Sequence, residues 1–235
     1  NTGAVVPPIY SATTFARDSD YELPGDFIYG RYANPTGAQV EKLAAELDEG
    51  EEALTFASGM AAFCAVLETL EIGDHMIAPT VMYHGAQDWL RRLSRKRGIG
   101  LTLFDATKEG ALSAAIQHGK TKLVWLESPV NPTWDVIDIA EAAQFAHKAN
   151  AFLCVDATVA PPVTMQALKL GADIVFHSAT KYMNGHSDVG AGILVTKTVD
   201  AQWEEIKQIR KYVGGVLGPF EAWLLLRGMR TLALR

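Results

Sequence analysis

The stretch that decides the fold is ADIVFHSATKYMNGHSDVGAGILVT, residues 172–196. Its two ends, ADIVF and VGAGILVT, are apolar and rich in β-branched residues, which predicts two buried strands. Between them, HSATKYMNGHSD (177–188) contains a lysine, two histidines, an aspartate, two serines and a threonine within twelve positions. A polar loop between two buried strands lies at the edge of a sheet, where α/β proteins commonly bind ligands. The sequence therefore raises the question of what Lys181 does there.

The chain around this stretch alternates between strand and helix patterns. Apolar runs predict strands at 52–57, 75–79, 99–105, 122–128, 152–157, 173–178 and 193–197. Helical patterns predict helices at 36–50, 58–70, 83–98, 108–119 and 138–150, near 164–170, and at 200–213 and 219–234. Because strands and helices alternate strictly and the strands are apolar, we predict an α/β fold with a mainly parallel sheet flanked by helices.

The two ends of the chain differ in character from this α/β domain, which we assign to residues 36–218. Residues 1–35 are rich in Pro, Tyr and Thr and lack helical periodicity, so we predict an extended N-terminal arm lying over a larger surface. Residues 219–235 form an amphipathic pattern without a cap. We expect them to begin a linker helix to a C-terminal domain that is absent, in a longer protein.

Composition narrows the class of protein. Of the 235 residues, 49% are hydrophobic, which suffices for one large core. The net charge is −6 and the densest basic run, RRLSRKRG (91–98), is typical of a solvated helix end, so we expect no nucleic-acid partner. Neither a run of about 18 apolar residues nor a signal-peptide pattern is present, so we expect no membrane association. Cys64 and Cys154 lie in apolar contexts, which suggests free thiols and a cytoplasmic location.

A serine nucleophile is one interpretation of the loop. Ser178-Ala-Thr-Lys181 matches the S-x-x-K pattern of penicillin-binding proteins and serine β-lactamases, in which the lysine helps to deprotonate the serine. The companion motifs S-D-N and K-T-G are missing, since SDV (187–189) and KTV (197–199) stand nearest to them. A four-residue pattern with two fixed positions arises often by chance, so this interpretation is disfavoured.

Metal binding and nucleotide binding are two further alternatives. His177, His186 and Asp188 are suitable ligand types, but their spacing matches no metal site with a known mechanism. Gly190 and Gly192 begin a G-x-G pattern, but this pattern precedes a strand and not a helix, so it lacks the context of a phosphate-binding loop. Metal binding and nucleotide binding are therefore both less well supported than Schiff-base formation by Lys181.

Schiff-base formation accounts for the largest number of polar residues. A lysine among neutral polar groups at the mouth of a sheet can lose its proton and attack a carbonyl. Pyridoxal phosphate (PLP) then requires a carboxylate at its pyridine nitrogen, a phosphate cup and an aromatic face. The side chains and amides that could meet these requirements all follow predicted strands: Ser58, Gly59, Met60, Tyr83, Asp156, Ser178 and Thr180.

Five spaced motifs together resemble the Cys/Met-metabolism family of PLP-dependent enzymes. They are YGRYANPT (29–36), FASGMAA (56–62), ESPVNPT (127–133), VDAT (155–158) and HSATKYMNGHSDV (177–189). That family contains cystathionine γ-synthase, cystathionine γ- and β-lyases, methionine γ-lyase and the O-acylhomoserine sulfhydrylases. The resemblance covers the whole chain, and it implies the large domain of a fold-type I PLP-dependent transferase.

The resemblance also implies roles for individual residues around PLP. Lys181 would hold the cofactor as a Schiff base and then transfer protons, and Asp156 would keep the pyridine nitrogen protonated. The amides of Gly59 and Met60, together with the hydroxyl groups of Ser178 and Thr180, would bind the phosphate.

Further roles implied by the resemblance concern the ring and the neighbouring subunit. Tyr83 would stack on the ring and act in acid–base steps, Asn131 would approach the ring oxygen, and Glu127 would support the site from behind. Tyr29 and Arg31 would reach across an interface to the neighbour's phosphate. The arm thus implies a homo-oligomer, with a dimer of dimers as the expected form.

Two positions depart from the family pattern. Ala157 stands where the family usually has Asn, so we expect one side-chain amide near the ring to be missing. His84-Gly85-Ala86 replaces the more common Gly-Gly-Thr, and Gly85 stands where methionine γ-lyases carry Cys. The DATVAPP segment (156–162) looks closer to the γ-synthase and γ-lyase type than to the bacterial β-lyase type.

Taken together, these features predict an enzyme of sulfur amino-acid metabolism with a small amino-acid substrate. The reaction would be γ-replacement or γ-elimination at O-acylhomoserine or cystathionine. The alternative is a truncated or degenerate PLP-binding homologue without turnover.

Overall fold

A computed structural model describes residues 3–235 of the chain. The strands are β1 (Glu52–Phe56), β2 (His75–Pro79), β3 (Gly100–Phe104), β4 (Thr121–Glu127), β5 (Phe152–Asp156), β6 (Ile174–His177) and β7 (Gly192–Thr196). The helices are α1 (Pro35–Asp48), α2 (Gly59–Glu68), α3 (His84–Arg97), α4 (Ala111–Ala115), α5 (Ile139–Lys148), α6 (Ala201–Val213) and α7 (Pro219–Met229), followed by a 3-10 turn at Leu232–Leu234.

The seven strands form one mixed sheet in the order β1-β7-β6-β5-β4-β2-β3. Strands β2 to β6 run parallel to one another, whereas β7 is antiparallel to both β1 and β6. Glu127 pairs with Asp156, and Asp156 pairs with Phe176, so three strand ends lie side by side. The mainly parallel α/β fold predicted from the sequence is confirmed, and the register brings the polar segments after the strands to one edge.

Apolar side chains cover both faces of the sheet, as expected for strands buried between helices. On β5, Leu153 and Val155 point into the layer that contains residues of α1, α5 and α7. Cys154, between them, points into the layer that contains residues of α2, α3 and α6. The alternation along each strand therefore decides which residues face α2, the helix that carries the candidate site.

Four of the seven described α-helices (α1, α2, α5 and α6) begin at a side chain that accepts a hydrogen bond from a free amide of the first turn. Asn34 accepts a hydrogen bond from the amide of Thr36 at 2.8 Å, with Pro35 as the first helical residue of α1. Ser58 accepts from the amide of Ala61 at 3.0 Å at the start of α2. These caps are the local reason why both helices start where the sequence pattern predicts.

Three predicted helices differ from the structure. The helix predicted near 164–170 is wrong: the segment forms a series of turns with isolated bonds such as Thr164 N to Pro161 O, because two prolines precede it and no continuous helical ladder follows. The helix predicted at 108–119 is limited to α4, which starts after Gly110 in the left-handed region (φ 72°). The helix predicted at 219–234 ends at Met229.

The described part of the N-terminal segment, residues 3–34, contains no helix. Its backbone forms one isolated bridge, between Thr14 and Tyr29. The first two residues of the predicted arm lie outside the described residues. Among residues 3–235, no helix is long and apolar enough to cross a membrane.

Candidate active site

A cavity of about 1250 Å³ lies at the carboxyl edge of the sheet. Most of the residues predicted from the sequence line its wall: Ser58, Gly59, Met60, Tyr83, Asn131, Asp156, Ser178, Thr180 and Lys181. Its volume exceeds the range typical of sites for one small ligand, so the cavity has room for a cofactor together with a substrate.

The N-terminus of α2 forms one end of this wall and carries free hydrogen-bond donors. Ser58 uses its side chain to cap the amide of Ala61, and the amides of Gly59 and Met60 donate to no residue in the range 3–235. A Cβ atom on Gly59 would lie 3.0 Å from Ser178 Oγ, so the glycine allows the helix end to approach that serine. Free amides at a helix N-terminus beside a hydroxyl group are suited to a phosphate.

The two hydroxyl residues predicted to bind phosphate are in different situations. Ser178 Oγ has no hydrogen-bond partner among the described residues, whereas its amide donates to Thr158 Oγ1 at 2.8 Å. Thr180 Oγ1 accepts from the amide of Ala191 at 2.9 Å and donates to its carbonyl at 3.2 Å. The hydroxyl group of Thr180 is therefore already used to join the loop to the start of β7. Its predicted contact with phosphate stays a prediction.

Thr158 is a residue of the site that the sequence interpretation missed. It accepts from the amide of Ser178, and its own amide donates to Asp156 Oδ1 at 2.9 Å. It thus joins the turn after β5 to the turn after β6. The sequence feature that could have identified Thr158 is the VDAT motif, because this motif also contains Asp156.

Asp156 is a buried carboxylate with little compensation for its charge. Its side chain lines the cavity, and the residue is 8% exposed. Burial and the neighbouring charge of Glu127 raise its pKa from 3.8 to about 7, against the opposing effects of the Thr158 hydrogen bonds and of His177. A cationic ring nitrogen near this carboxylate would supply the missing charge, so Asp156 fits a protonated pyridine.

Glu127 holds two segments of the wall in place. Its Oε2 accepts from the amide of Tyr83 at 2.7 Å, and its Oε1 accepts from the amide of Asn131 at 2.8 Å. Burial raises the pKa of this carboxyl, and the two hydrogen bonds oppose the rise. Both oxygens of Glu127 are therefore engaged with the backbone, as suits a residue that supports the site from behind.

The ring of Tyr83 is half exposed and lies over Gly85. A Cβ atom at Gly85 would stand 2.9 Å from Tyr83 Cε1, so only glycine leaves room for this ring position. The ring of His84 lies beside it, with centroids 4.9 Å apart. The stacking of Tyr83 on a cofactor ring stays a prediction.

Lys181 has a fixed backbone and an unengaged amine. Its amide donates to the carbonyl of Ser178 at 2.9 Å, and its carbonyl accepts from the amide of Gly185 at 2.7 Å. Its Nζ makes no hydrogen bond or ion pair with any residue from 3 to 235. An amine with these properties is available to a carbonyl group in the cavity.

Ala157 does not face the cavity. It is fully buried in the apolar layer on the opposite face of the sheet, and its amide donates to the carbonyl of Phe176 at 2.9 Å. The expectation that alanine here removes an amide beside the ring is therefore wrong, because side chains alternate between faces and residue 157 points away from Asp156.

Tyr29 and Arg31 do not line the cavity of their own chain. The guanidinium of Arg31 lies over the rings of Tyr29 and Tyr32, at 5.3 and 5.1 Å, and it donates to the carbonyl of Lys211. Arg31 is thus engaged with aromatic side chains of the N-terminal segment and with the backbone of α6, and not with the wall of the cavity in its own chain.

The residues considered as metal ligands do not come together either. His177 bonds to Asp48, and His186 bonds to the carbonyl of Asn184. The part of the chain that the structure describes contains no group of three or more His, Cys, Asp or Glu side chains placed to hold a metal.

Gly192 of β7 is expected to be essential for the position of α2. A Cβ atom at this residue would overlap the carbonyl of Ser58 and lie 2.9 Å from Ala62 Cβ. We expect Gly192→Ala to lower the free energy of unfolding by about 1–3 kcal/mol, because the first turn of α2 must move. Urea unfolding measures this, and Gly190→Ala is the matched control, since its nearest neighbour lies at 4.0 Å. Equal stability of the two variants would contradict the predicted contact.

Comparison with known proteins gives a consistent result. Residues 1–235 match the model of a family described as Cys/Met metabolism PLP-dependent enzyme. The chain is 39% identical to a cystathionine β-lyase of Coxiella burnetii and 41% identical to a cystathionine γ-synthase of Mycobacterium tuberculosis, over 235 residues in each case. Each alignment covers 100% of this chain and 60% of the relative.

A solved structure shows the same similarity in three dimensions. The crystal structure of a cystathionine γ-lyase from Lactobacillus plantarum, complexed with L-serine, superimposes with a TM-score of 0.94 at 40% sequence identity. The match covers 100% of this chain and 60% of that one. The chain therefore spans about 60% of the length of the relatives that it matches.

Proposed function

Because the chain belongs to the Cys/Met metabolism family of PLP-dependent enzymes, we propose that it forms the PLP-binding part of an enzyme acting on a sulfur amino acid or an O-activated homoserine. The observation that carries this proposal is the free amine of Lys181 in one cavity with the buried carboxylate of Asp156 and the free amides of α2. The predicted family, fold class and cofactor are confirmed by the family match and the structural similarity.

The cofactor, when bound, would supply an electron sink for negative charge that develops at the substrate α-carbon. The chain's own residues hold and orient the reactants. Lys181 Nζ would hold the cofactor covalently and, once displaced by the substrate amine, take the α-proton as a general base. Asp156 would keep the pyridine nitrogen protonated through its negative charge. The amides of Gly59 and Met60, with Ser178 Oγ, would anchor the phosphate.

For the reaction itself, we propose γ-replacement or γ-elimination at O-acylhomoserine or cystathionine. Tyr83, half exposed in the cavity wall, would stack on the ring and serve in proton transfer, and Asn131 would approach the ring oxygen. The relatives named γ-synthase and β-lyase are about equally similar to this chain, so their names support the reaction class without separating its members. The preference for γ-chemistry rests on the DATVAPP segment.

We also propose that the site is completed by a neighbouring subunit in a homo-oligomer, with a dimer of dimers as the expected form. Three features support this: the helix-free segment 3–34, its exposed apolar side chains such as Val5 and Tyr10, and the location of Arg31 outside its own cavity. Cys64 and Cys154 are both free, which suits the reducing environment of the cytoplasm.

The test combines covalent trapping with product analysis. We expect the chain mixed with PLP to show a visible absorption band, and borohydride to attach the cofactor irreversibly to the peptide that contains Lys181. Cystathionine and O-acylhomoserine plus cysteine are then supplied as substrates. Formation of 2-oxobutanoate, cysteine and ammonia from cystathionine would identify γ-elimination, and formation of cystathionine from the second mixture would identify γ-replacement.

Each other outcome has a distinct meaning. Homocysteine, pyruvate and ammonia from cystathionine would replace the γ-proposal by β-elimination. Cofactor trapped at Lys181 without any product would favour a PLP-binding homologue that lacks turnover. Absence of trapped cofactor at Lys181 would overturn the proposed function for this chain.

A further inference from the structure

A buried ion pair lies behind the cavity, on the other face of the sheet. His177 Nε2 is 2.9 Å from Asp48 Oδ2, and the two side chains are 0% and 1% exposed. Asp48 is the last residue of α1, and His177 is the last residue of β6, directly before Ser178. Charged groups are costly to bury, and apolar side chains of the same size often replace such a pair without loss of stability. The proposed cofactor chemistry gives the pair no part.

The position of the pair relates it to Asp156. Strands β5 and β6 are neighbours, and Asp156 pairs in register with Phe176, which lines the same cavity. His177 follows Phe176, so its side chain projects from the opposite face of the sheet. His177 and Asp156 therefore lie at the same end of adjacent strands, one on each face.

The charge of His177 follows from its surroundings. Burial by itself would lower the pKa of His177, but the charge and hydrogen bond of Asp48 raise it above its ordinary value, and Asp156 adds to the rise. Nδ1 makes no hydrogen bond of normal geometry to the described residues, although the carbonyl of Ala157 favours the charged ring. Asp48 therefore favours the protonated, positively charged form of the His177 ring. In return, His177 lowers the pKa of Asp156, against burial and Glu127.

We propose that Asp48 and His177 are positioning residues of the cofactor site: the pair holds the imidazole of His177 behind Asp156 and fixes the strand end from which Ser178 and Lys181 extend. This inference rests on the proposed binding of PLP, although its first test needs no cofactor. The charged groups that act on His177 are Asp48 from α1, on the same face of the sheet, and Asp156 from β5, on the opposite face. Its partner on β7 is the apolar Ile193.

The first test measures the titration of Asp156 in the free chain. Asp48→Asn keeps the shape and the hydrogen-bond acceptor but removes the charge that keeps His177 protonated. We expect the midpoint for Asp156, followed by carbon-13 NMR of labelled aspartate and assigned with Asp156→Asn, to move to higher pH in this variant. The reason is that the protonated form of His177, which lowers the pKa of Asp156, becomes less favourable without Asp48.

The chain contains a matched control pair. Asp173, which precedes β6, lies 2.9 Å from His147 Nε2, so an Asp–His pair of the same length is found at the other end of the same strand. That pair is partly exposed and remote from the cavity. We expect Asp173→Asn to leave the titration of Asp156 unchanged.

The second test measures cofactor affinity by borohydride trapping at a series of PLP concentrations. Asp48→Asn is expected to bind PLP about fivefold more weakly than the wild type at pH 7, and about tenfold more weakly at lower pH, for a displacement of about one pH unit in the ionisation of Asp156. The difference should disappear at higher pH, where Asp156 is ionised in both proteins. Asp173→Asn should behave as the wild type does.

The outcomes separate this proposal from its alternatives. An Asp156 midpoint that is unchanged or lower in Asp48→Asn overturns it, and so does a loss of unfolding free energy with unchanged PLP affinity, which would indicate a purely structural pair. If Asp48→Asn folds poorly, Asp48→Asn with His177→Gln replaces the pair by two hydrogen-bonding amides and must show the same upward displacement. Failure of the wild type to bind PLP would refute the proposed function instead, and the titration would still decide the role of the pair.

Discussion

Lys181→Ala is expected to reduce turnover of every sulfur amino-acid substrate by at least about a thousandfold. Loss of a positioned proton-transfer group alone costs about 10²–10⁴-fold in rate, and this variant also loses the covalent attachment of the cofactor. The amine of Lys181 makes no contact with the described residues that could explain a structural role, and the residue is exposed. Its removal should therefore change the free energy of unfolding by less than about 0.5 kcal/mol. Steady-state rates, borohydride trapping and urea unfolding measure the three effects.

A matched control for this prediction is Lys122→Ala. Lys122 is exposed near the start of β4, at the opposite end of that strand from Glu127, and should be dispensable for trapping and rate. Small primary amines added to Lys181→Ala should restore part of the lost rate, since they can take over proton transfer. Wild-type turnover in Lys181→Ala, or cofactor trapped with equal efficiency at another lysine, would contradict the assigned role.

Asp156→Asn is expected to have opposite effects on cofactor binding and on the stability of the free chain. An amide cannot provide the negative charge that pairs with a protonated pyridine, so we expect PLP affinity to fall by about a hundredfold or more, as when one partner of a buried ion pair is removed. The same substitution removes a carboxylate that is unfavourable in the free protein at high pH. The variant should therefore be more stable than the wild type without PLP, and less able to bind it.

The direction of the pH effect follows from the raised pKa. Because the pKa of Asp156 is about 7 in the folded chain against an ordinary value of 3.8, the folded state holds the proton more tightly than the unfolded state does. The contribution of Asp156 to stability is complete below about pH 4 and is lost as pH rises to about 7, with a total of about 4 kcal/mol. The wild type should lose this stability, and Asp156→Asn should not.

Urea unfolding of both proteins without PLP, from about pH 4 to 8, measures this difference. Asp88→Asn, on an exposed position of α3, is a control that should follow the wild type at every pH. Parallel pH profiles for the wild type and Asp156→Asn would show that Asp156 ionises normally, and the charge-based account of its role would then be wrong.

The sequence predicted the sheet and most of the cavity wall because both depend on local patterns. Buried strands are recognisable from apolar runs, and the carboxyl ends of parallel strands must meet at one edge. For this reason Gly59, Asp156 and Lys181, which are far apart in the chain, could be assigned to one site from the amino-acid sequence alone. Glu127 could be assigned a supporting role only through the family resemblance.

Features that depend on the packing of distant segments were not predictable in the same way. The hydrogen bonds between the Thr180 hydroxyl and the backbone of Ala191 depend on the exact path of a loop. The orientation of Ala157 depends on which residues of β5 face α2. The sequence does not reveal this, because β5 carries apolar residues on both of its faces. The pair of Asp48 and His177 joins residues 129 positions apart, and no periodic pattern in the sequence connects them.

The position of β1 at the edge of the sheet has a consequence for biosynthesis. Among the described strands, β1 forms hydrogen bonds only with β7. Because β7 lies about 140 residues later in the chain, β1 is synthesised well before the strand with which it pairs. Until β7 is synthesised, α2 also lacks Gly192, against which its first turn packs. The end of α2 for which we propose phosphate binding is thus completed only after β7 has been synthesised. A nascent chain that stalls before residue 192 exposes an unpaired apolar strand, which makes it a substrate for chaperones and a starting point for aggregation.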